Sequence, residues 1–489
     1  MRLRFGKRYE GLAHGFGCAC HTPAVLELNR RISAGLDRRS VLKGIAASFA
    51  AVSLGQNGAF AQTAGNQTAG KPLLFSNVRI FDGRLGSLVE GSGVLVAGDK
   101  IEALVPASQT VTDADVIDCG GRVLMPGLID SHWHAMLAAI PELVAMTADI
   151  PYVHLVAAQQ AEATLLRGFT TVRDVGGPTF PLKRAIDEGR FPGPRIFPAG
   201  AMISQTSGHG DFRFRYEVPR GSGNDITHAE VAGISAIADG VPEVLRRVRE
   251  QLMLGASQVK IMVGGGVSSA YDPLDSMQFL PEEIRAAVDA ASDWGTYVCA
   301  HVYTSEGINR AIDNGVKCIE HGQLADEDTV RKMADTGTWW SIQPFLADED
   351  SNPKADPVQR QQQEEIAVGT VRSFELGQKY NVRMAWGTDI LFNPRGTSGQ
   401  GRQLAKLSRW FENAEILRMA TSNSGDLLAL SGARSPYRGK LGVIEQGAFA
   451  DMLVVEGNPL EDIDLVADPD TNFRIIVKDG RIHKDTLRG

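Results

Sequence analysis

The sequence is short of long apolar runs, of net positive charge and of cysteine. No apolar stretch reaches the ~18 residues that a membrane-crossing helix needs, so no such helix is expected. Lys and Arg number 50 against 58 Asp and Glu, a formal net charge of −8, which argues against a bulk nucleic-acid binder. Five cysteines in 489 residues are too sparse for a disulfide framework. Cys119, Cys299 and Cys318 sit in apolar surroundings and read as small core residues. A G-x-S-x-G nucleophile elbow and a P-loop are both absent, so neither serine acyl transfer on that pattern nor P-loop phosphate binding is expected. Aromatic content is low at 7%. What remains is ordinary for a folded chain: 43% hydrophobic, 22% charged, and 53 glycines that fit many tight loops. The length predicts two to four domains at roughly 100–200 residues each.

Charge is unevenly placed. Residues 1–61 carry nine Lys/Arg against three Asp/Glu, a net of +6 that leaves −14 on the rest. Asp37-Arg38-Arg39-Ser40-Val41-Leu42-Lys43 resembles a twin-arginine export signal. The apolar stretch Gly44 to Leu54 and the Ala59-Phe60-Ala61 cleavage pattern follow in the right order. The expected mature start is Gln62, and Cys18 and Cys20 would be lost with the signal. Thirty-seven residues before the arginine pair are long for such a signal, so the start codon is expected downstream of Met1. Export to the periplasm or beyond, through the twin-arginine machinery, is the expectation. Residues 62–70 read as a flexible linker.

Residues 71–125 and 433–489 share one texture, β-formers alternating with Gly/Asp turns. They predict one small β-sandwich domain built from both segments. Residues 126–432 alternate differently. Eight short apolar runs stand out: Leu128–His132, Thr170–Asp174, Arg195–Ala199, Gln258–Val263, Tyr297–Val302, Cys318–His321, Trp339–Gln343 and Arg383–Thr388. Helical stretches such as Pro242–Leu254, Pro281–Trp294, Ser305–Asn314 and Asp326–Thr336 separate them. Strand–helix alternation repeated eight times predicts an α/β fold, a (β/α)8 TIM barrel.

Chemistry in such a barrel sits at the C-terminal ends of the strands. Strand one ends in His132-Trp133-His134, and two histidines at i and i+2 of an extended segment point to one side. Strand four carries Lys260 in an apolar run, which needs a partner if buried. Strands five, six and eight end at His301, His321 and Asp389. Each residue alone has a bland reading: a hydrogen-bonded histidine, a snorkelling lysine, a capping aspartate. Six metal-capable residues at five strand ends of one barrel do not.

Pro-Gly-Leu-Ile-Asp-Ser-His-Trp-His, the strand-four lysine, the two later histidines and Gly-Thr-Asp resemble the amidohydrolase superfamily with a binuclear metal site. Gly168 to Gly177, Ser207-Gly208-His209-Gly210-Asp211 and Val259-Lys260-Ile261-Met262 narrow the likeness. They resemble the branch with Xaa-Pro and Xaa-Arg/Lys dipeptidases, imidazolonepropionase-like proteins and ochratoxin-hydrolysing amidohydrolases. The resemblance implies that His132, His134 and Asp389 bind one ion and His301 and His321 a second. It also implies that Lys260 bridges both as an N-carboxylated lysine, since a carbamate, unlike an ammonium, offers two anionic oxygens. Two Zn2+ per chain are expected, with Co2+ or Mn2+ able to substitute. Asp389 would move the proton from attacking water to the departing amine.

His209, in a Gly-rich loop after strand three, and Tyr303, two residues past His301, are the expected substrate contacts. Gly264-Gly265-Gly266 reads either as a close approach to substrate or as a mobile loop. Arg173 and Asp174 read as a structural pair; His154 and His228 read as outside the site. Val267, Met202, Leu137 and Phe392 are expected to line a pocket for an apolar side chain. The strand ends offer few positive charges. An acidic leaving side chain therefore has no obvious partner, and the resemblance implies hydrolysis of an N-acyl amino acid or dipeptide with a free carboxylate and an apolar side chain, N-acyl-phenylalanine compounds such as ochratoxin A among them. A cyclic-amide hydrolase or deaminase, and a non-catalytic metal-binding protein, are the competing readings. Deamination is disfavoured because Lys260 is present and Glu306 falls on the helix after strand five. A small-molecule substrate and a homo-oligomeric state complete the expectation.

Overall fold

Strands β1 (Leu73–Ile80), β2 (Ser92–Ala97), β3 (Lys100–Pro106) and β4 (Asp115–Pro126) open the chain described by the computed structural model, which covers residues 71–218, 226–269 and 271–488. The signal region 1–61, with Cys18 and Cys20, and the linker 62–70 lie outside the described residues. The β4 strand shows how one strand serves two environments. Its first half alternates between buried and exposed residues, and its last four residues are all buried. It pairs in parallel with β1 and leads directly into the second architecture.

That architecture is built from β5 (Leu128–Trp133), β6 (Phe169–Asp174), β7 (Arg195–Pro198), β8 (Met202–Ser204), β9 (Ser235–Ile237), β10 (Val259–Met262), β11 (Val298–Thr304), β12 (Cys318–Leu324), β13 (Trp339–Ile342) and β14 (Met384–Trp386). All their pairings are parallel. Nearly every residue in them is buried, as expected of strands covered on both faces. The strands fall into orders β5-β6-β7 and β14-β13-β12-β11-β10-β8-β9. Two backbone bonds join the three-stranded group to the other at both edges. Asp389 N–H donates to His132 O at 2.8 Å, and Ser257 N–H donates to Pro198 O at 2.8 Å. The fold is a (β/α)8 barrel, and each of the eight expected runs holds a strand. The third run continues past Gly200 (φ +78°) as β8, beside which the short β9 pairs; neither β8 nor β9 was read from the sequence.

The expected helices form at Val241–Leu254, Pro281–Asp293, Ser305–Asp313 and Glu327–Thr336. Their ends follow local chemistry. Asp326 caps the last of these by accepting from Thr329 N–H, and Gly337 (φ +62°) ends it in the left-handed region.

Strands β15 (Met452–Val455), β16 (Phe473–Lys478) and β17 (Arg481–Asp485) return to the first sheet, in the order β17-β16-β15-β4-β1-β2-β3. The period of two assigns its faces. Val123, Met125, Leu453 and Val455 join the barrel's apolar core, together with Phe169, Phe473 and Ile476. Their neighbours Leu124, Met452 and Val454 pack with Phe75, Val94, Ile101 and Ile475 in a core of the sheet's own.

Candidate active site and metal centre

A cavity of about 490 Å³ opens beside the C-terminal ends of β11, β13 and β14, and Asp389 is the one of the six expected ligands that lines it. Asp389, Thr388, Tyr303, Val267, Phe345 and Ile390 are among the residues that line it. The backbone at its base is unusual. Asp389 (φ +52°) and His321 (φ +75°) both occupy the left-handed region, at a cost of about 1–3 kcal/mol each. Bonds from neighbouring strands hold them there: Asp389 N–H to His132 O, and Trp340 Nε1–H to His321 O at 2.5 Å. Asp130 contributes from β5, accepting from Thr388 N–H at 3.1 Å and Thr388 Oγ1–H at 2.7 Å.

His132, His134 and Asp389 form a cluster whose ligand atoms all lie within 4.8 Å of one another. Asp389 Oδ1 is 3.2 Å from His132 Nε2 and 3.1 Å from His134 Nε2. His321 stands beside this cluster, its ring centroid 4.7 Å from that of His132. His301 is next, 4.4 Å from the His321 ring. Lys260 is buried with 1% of its surface exposed, and it has no hydrogen-bond or ion-pair partner among the described residues.

The four histidines share one arrangement, and it tests whether the donor set fits a metal. His132 Nδ1 meets Glu320 Oε2 at 2.7 Å, His134 Nδ1 meets Gly176 O at 3.0 Å, His321 Nδ1 meets Gln343 Oε1 at 2.8 Å, and His301 Nε2 meets Gly265 O at 3.2 Å. Every partner is an acceptor, so the tied nitrogen carries the proton and the other carries a lone pair. His132 Nε2 is buried and makes no hydrogen bond. Burial first, then the neighbouring histidines and Lys260, hold His301 and His321 far below the usual imidazole range, in the neutral form that ligates. Asp389 Oδ1 faces the Nε2 atoms of both His132 and His134, so one carboxylate oxygen and two imidazole nitrogens converge on one point. The residues present fit a metal.

His209 and Tyr303 are at this site. The His209 ring stacks on His301 at 4.0 Å, with Nδ1 3.0 Å from Ser269 Oγ and 3.1 Å from Asp272 Oδ2. Tyr303 packs beside the His301 and His321 rings, at 5.2 and 5.1 Å. The glycine run packs closely against the site. Gly265 O receives His301, Gly266 N–H donates to Asp272 at 2.9 Å, and a Cβ on Gly266 would collide with the His209 ring.

Three expectations need correction. Arg173 and Asp174 do not pair. Adjacent strand residues face opposite ways, so Arg173 reaches Glu320 (2.7 and 2.8 Å), while Asp174 accepts from Thr179 Oγ1 and Ala135 N–H. Leu137, Met202 and Phe392 belong to a buried apolar cluster with Trp133 and Met136; Val267 alone of the four apolar residues lines the cavity. Positive charge is also present on the cavity wall, from loops beyond the strand ends. Asp348 and Asp350 there are tied to Lys406 and Arg402, whereas Lys354 and Arg395 make no ion pair among the described residues. His154 bonds Ile150 O in its own helix, and Glu306 is exposed. Glu320, Gln343 and Asp272 were not singled out from the sequence; a carboxylate inside the apolar run Cys-Ile-Glu-His was the available signal for Glu320.

Residues 123–484 match the profile of the Amidohydrolase family. The ochratoxinase of Aspergillus niger is 31% identical over 419 residues, 78% of this chain and 82% of that protein. A prolidase solved with N-methylphosphonate-L-proline superposes with a TM-score of 0.78 at 34% identity, covering 85% of this chain and all of that one. A Xaa-Pro dipeptidase with methionine in its active site gives 0.73 at 28%, covering 84% and 100%.

Proposed function

The chain belongs to the amidohydrolase family, hydrolases of amide bonds, and from that premise we propose a two-zinc enzyme that releases an amino acid with a free carboxylate from an N-acyl amino acid or dipeptide. The observation that carries this reading is the set of four buried histidines, each with one ring nitrogen tied to an acceptor, gathered around Asp389 and beside Lys260, which has no hydrogen-bond or ion-pair partner among the described residues. His132, His134 and Asp389 would hold one ion, His301 and His321 the second, with Lys260 as a carbamate between them. When bound, the ions supply Lewis acidity and lower the pKa of water at the site.

The chain's own residues do the rest. Asp389 faces both histidines of its cluster and the cavity, and it carries a proton from water to the leaving nitrogen as the carbon–oxygen bond forms and the carbon–nitrogen bond breaks. His209 and Tyr303 flank the reacting carbonyl and the substrate carboxylate. Lys354 and Arg395, which make no ion pair among the described residues, stand on the wall together with the carboxylate of Glu349 and could meet a substrate carboxylate there. The likeness to an ochratoxinase and to a Xaa-Pro dipeptidase supports this reading, and N-acyl-phenylalanine is the first class to assay.

Purified protein is expected to hold close to two zinc ions per chain and to lose activity on chelation. It should cleave N-acyl-phenylalanine faster than the corresponding C-terminal amide by roughly 5–150-fold, the equivalent of about 1–3 kcal/mol for an unpaired buried polar group. His209→Ala should narrow that gap. Full activity without metal overturns the metal reading. Equal rates on acid and amide overturn carboxylate recognition and favour cyclic-amide hydrolysis.

A further inference from the structure

Of the four histidine partners, three are neutral carbonyl or amide oxygens and one is a carboxylate. Glu320 lies on β12, one residue before His321, and both it and Arg173 are fully buried inside the barrel. Arg173 Nη2 donates to both Glu320 oxygens, at 2.7 and 2.8 Å, while its Nε–H donates to Ser131 O. That ion pair fixes Glu320 as an acceptor. The Glu320 Oε2 to His132 Nδ1 distance of 2.7 Å then requires a proton on Nδ1. Gln343 Nε2 also lies 3.3 Å from Nδ1, but a protonated nitrogen cannot accept from it.

We infer that Glu320, held by Arg173, is a positioning residue: it fixes the tautomer and ring orientation of His132, so that the Nε2 lone pair is presented beside His134 and Asp389. The inference rests on the metal reading above. A carboxylate partner also raises the basicity of the imidazole it holds, which strengthens a metal bond more than a neutral carbonyl does. Arg173 enters because its guanidinium, anchored on Ser131 O, donates to both Glu320 oxygens and so fixes the carboxylate's place opposite His132 Nδ1.

The test is zinc affinity, measured by competition with a chelator, alongside the melting temperature of the metal-free protein. Wild type should bind zinc tightly; if it does not, the metal reading falls and this inference with it. Glu320→Gln should weaken affinity by about 10–100-fold. That variant strands the Arg173 charge, so Arg173→Met with Glu320→Gln, which removes both charges, is measured in parallel and is expected to show the same loss. Wild-type affinity in these variants, with only the melting temperature lowered, would mean that Glu320 merely neutralises Arg173 and would overturn the inference. A readout needing no variant is the imidazole nitrogen spectrum of the wild-type protein. His132 should show Nδ1 protonated and Nε2 bare, and the reverse tautomer would overturn the inference.

Discussion

Lys260 is a buried cation facing buried histidines, an arrangement that is unfavourable for an ammonium and natural for a carbamate. Carboxylation replaces one positive charge with one negative charge and supplies two oxygens. Lys260→Ala is therefore expected to lose bound metal and activity together, and a short carboxylic acid added with bicarbonate should restore part of both. Metal content per chain and rate, with and without the acid, check this; a wild-type-like variant would remove Lys260 from the site. The four histidines and Asp389 were legible in the sequence because each is a metal-capable side chain near the end of an apolar run, and Lys260 because it is a charge inside one. Glu320 and Arg173 lie within their runs, where a charge reads as an oddity until its partner is known. Leu137, Met202 and Phe392 were misplaced for a different reason: an apolar loop residue faces a cavity or a core with equal ease, and only packing decides.

At the scale of elements, the eight barrel strands were readable from run length and spacing, and four of the helices were named, three of them from the residues at their ends; the long helices Ile150–Leu166 and Pro357–Lys379 were not. What could not be read was how elements far apart in sequence tie together. Arg195 on β7 is buried and pairs with Asp451, just before β15, and with Asp479, at 256 and 284 residues' separation. It also lies 3.8 Å from the Phe449 ring centroid. A buried ion pair broken on one side leaves an uncompensated charge, so Arg195→Met should lower stability by about 3–5 kcal/mol. Metal content should stay near that of wild type, since none of these partners belongs to the cavity. Urea unfolding with metal analysis of the same sample checks both halves of this statement. β8 was equally invisible: the expected run stopped at Ala199, and the strand beyond Gly200 is only the three residues Met202–Ser204.

For the whole molecule, the sequence showed that two β-rich segments flank the barrel, and the structure shows them joined as neighbours β4 and β15 in one sheet. We propose that the protein is exported through the twin-arginine route. Arg38→Lys with Arg39→Lys should then leave it in the cytoplasm, and fractionation should find it missing from the periplasm; unchanged periplasmic recovery would contradict this. The discontinuous sheet also has a consequence for timing during synthesis. A ribosome finishes Pro126 long before it reaches Met452, an interval on the order of tens of seconds at typical elongation rates. Throughout that interval one edge of β4 is bare, its backbone donors and acceptors open to any passing strand. The enzyme's last strands therefore close the edge left open by its first, and a transcript cut short anywhere in between yields a chain that is sticky as well as inactive.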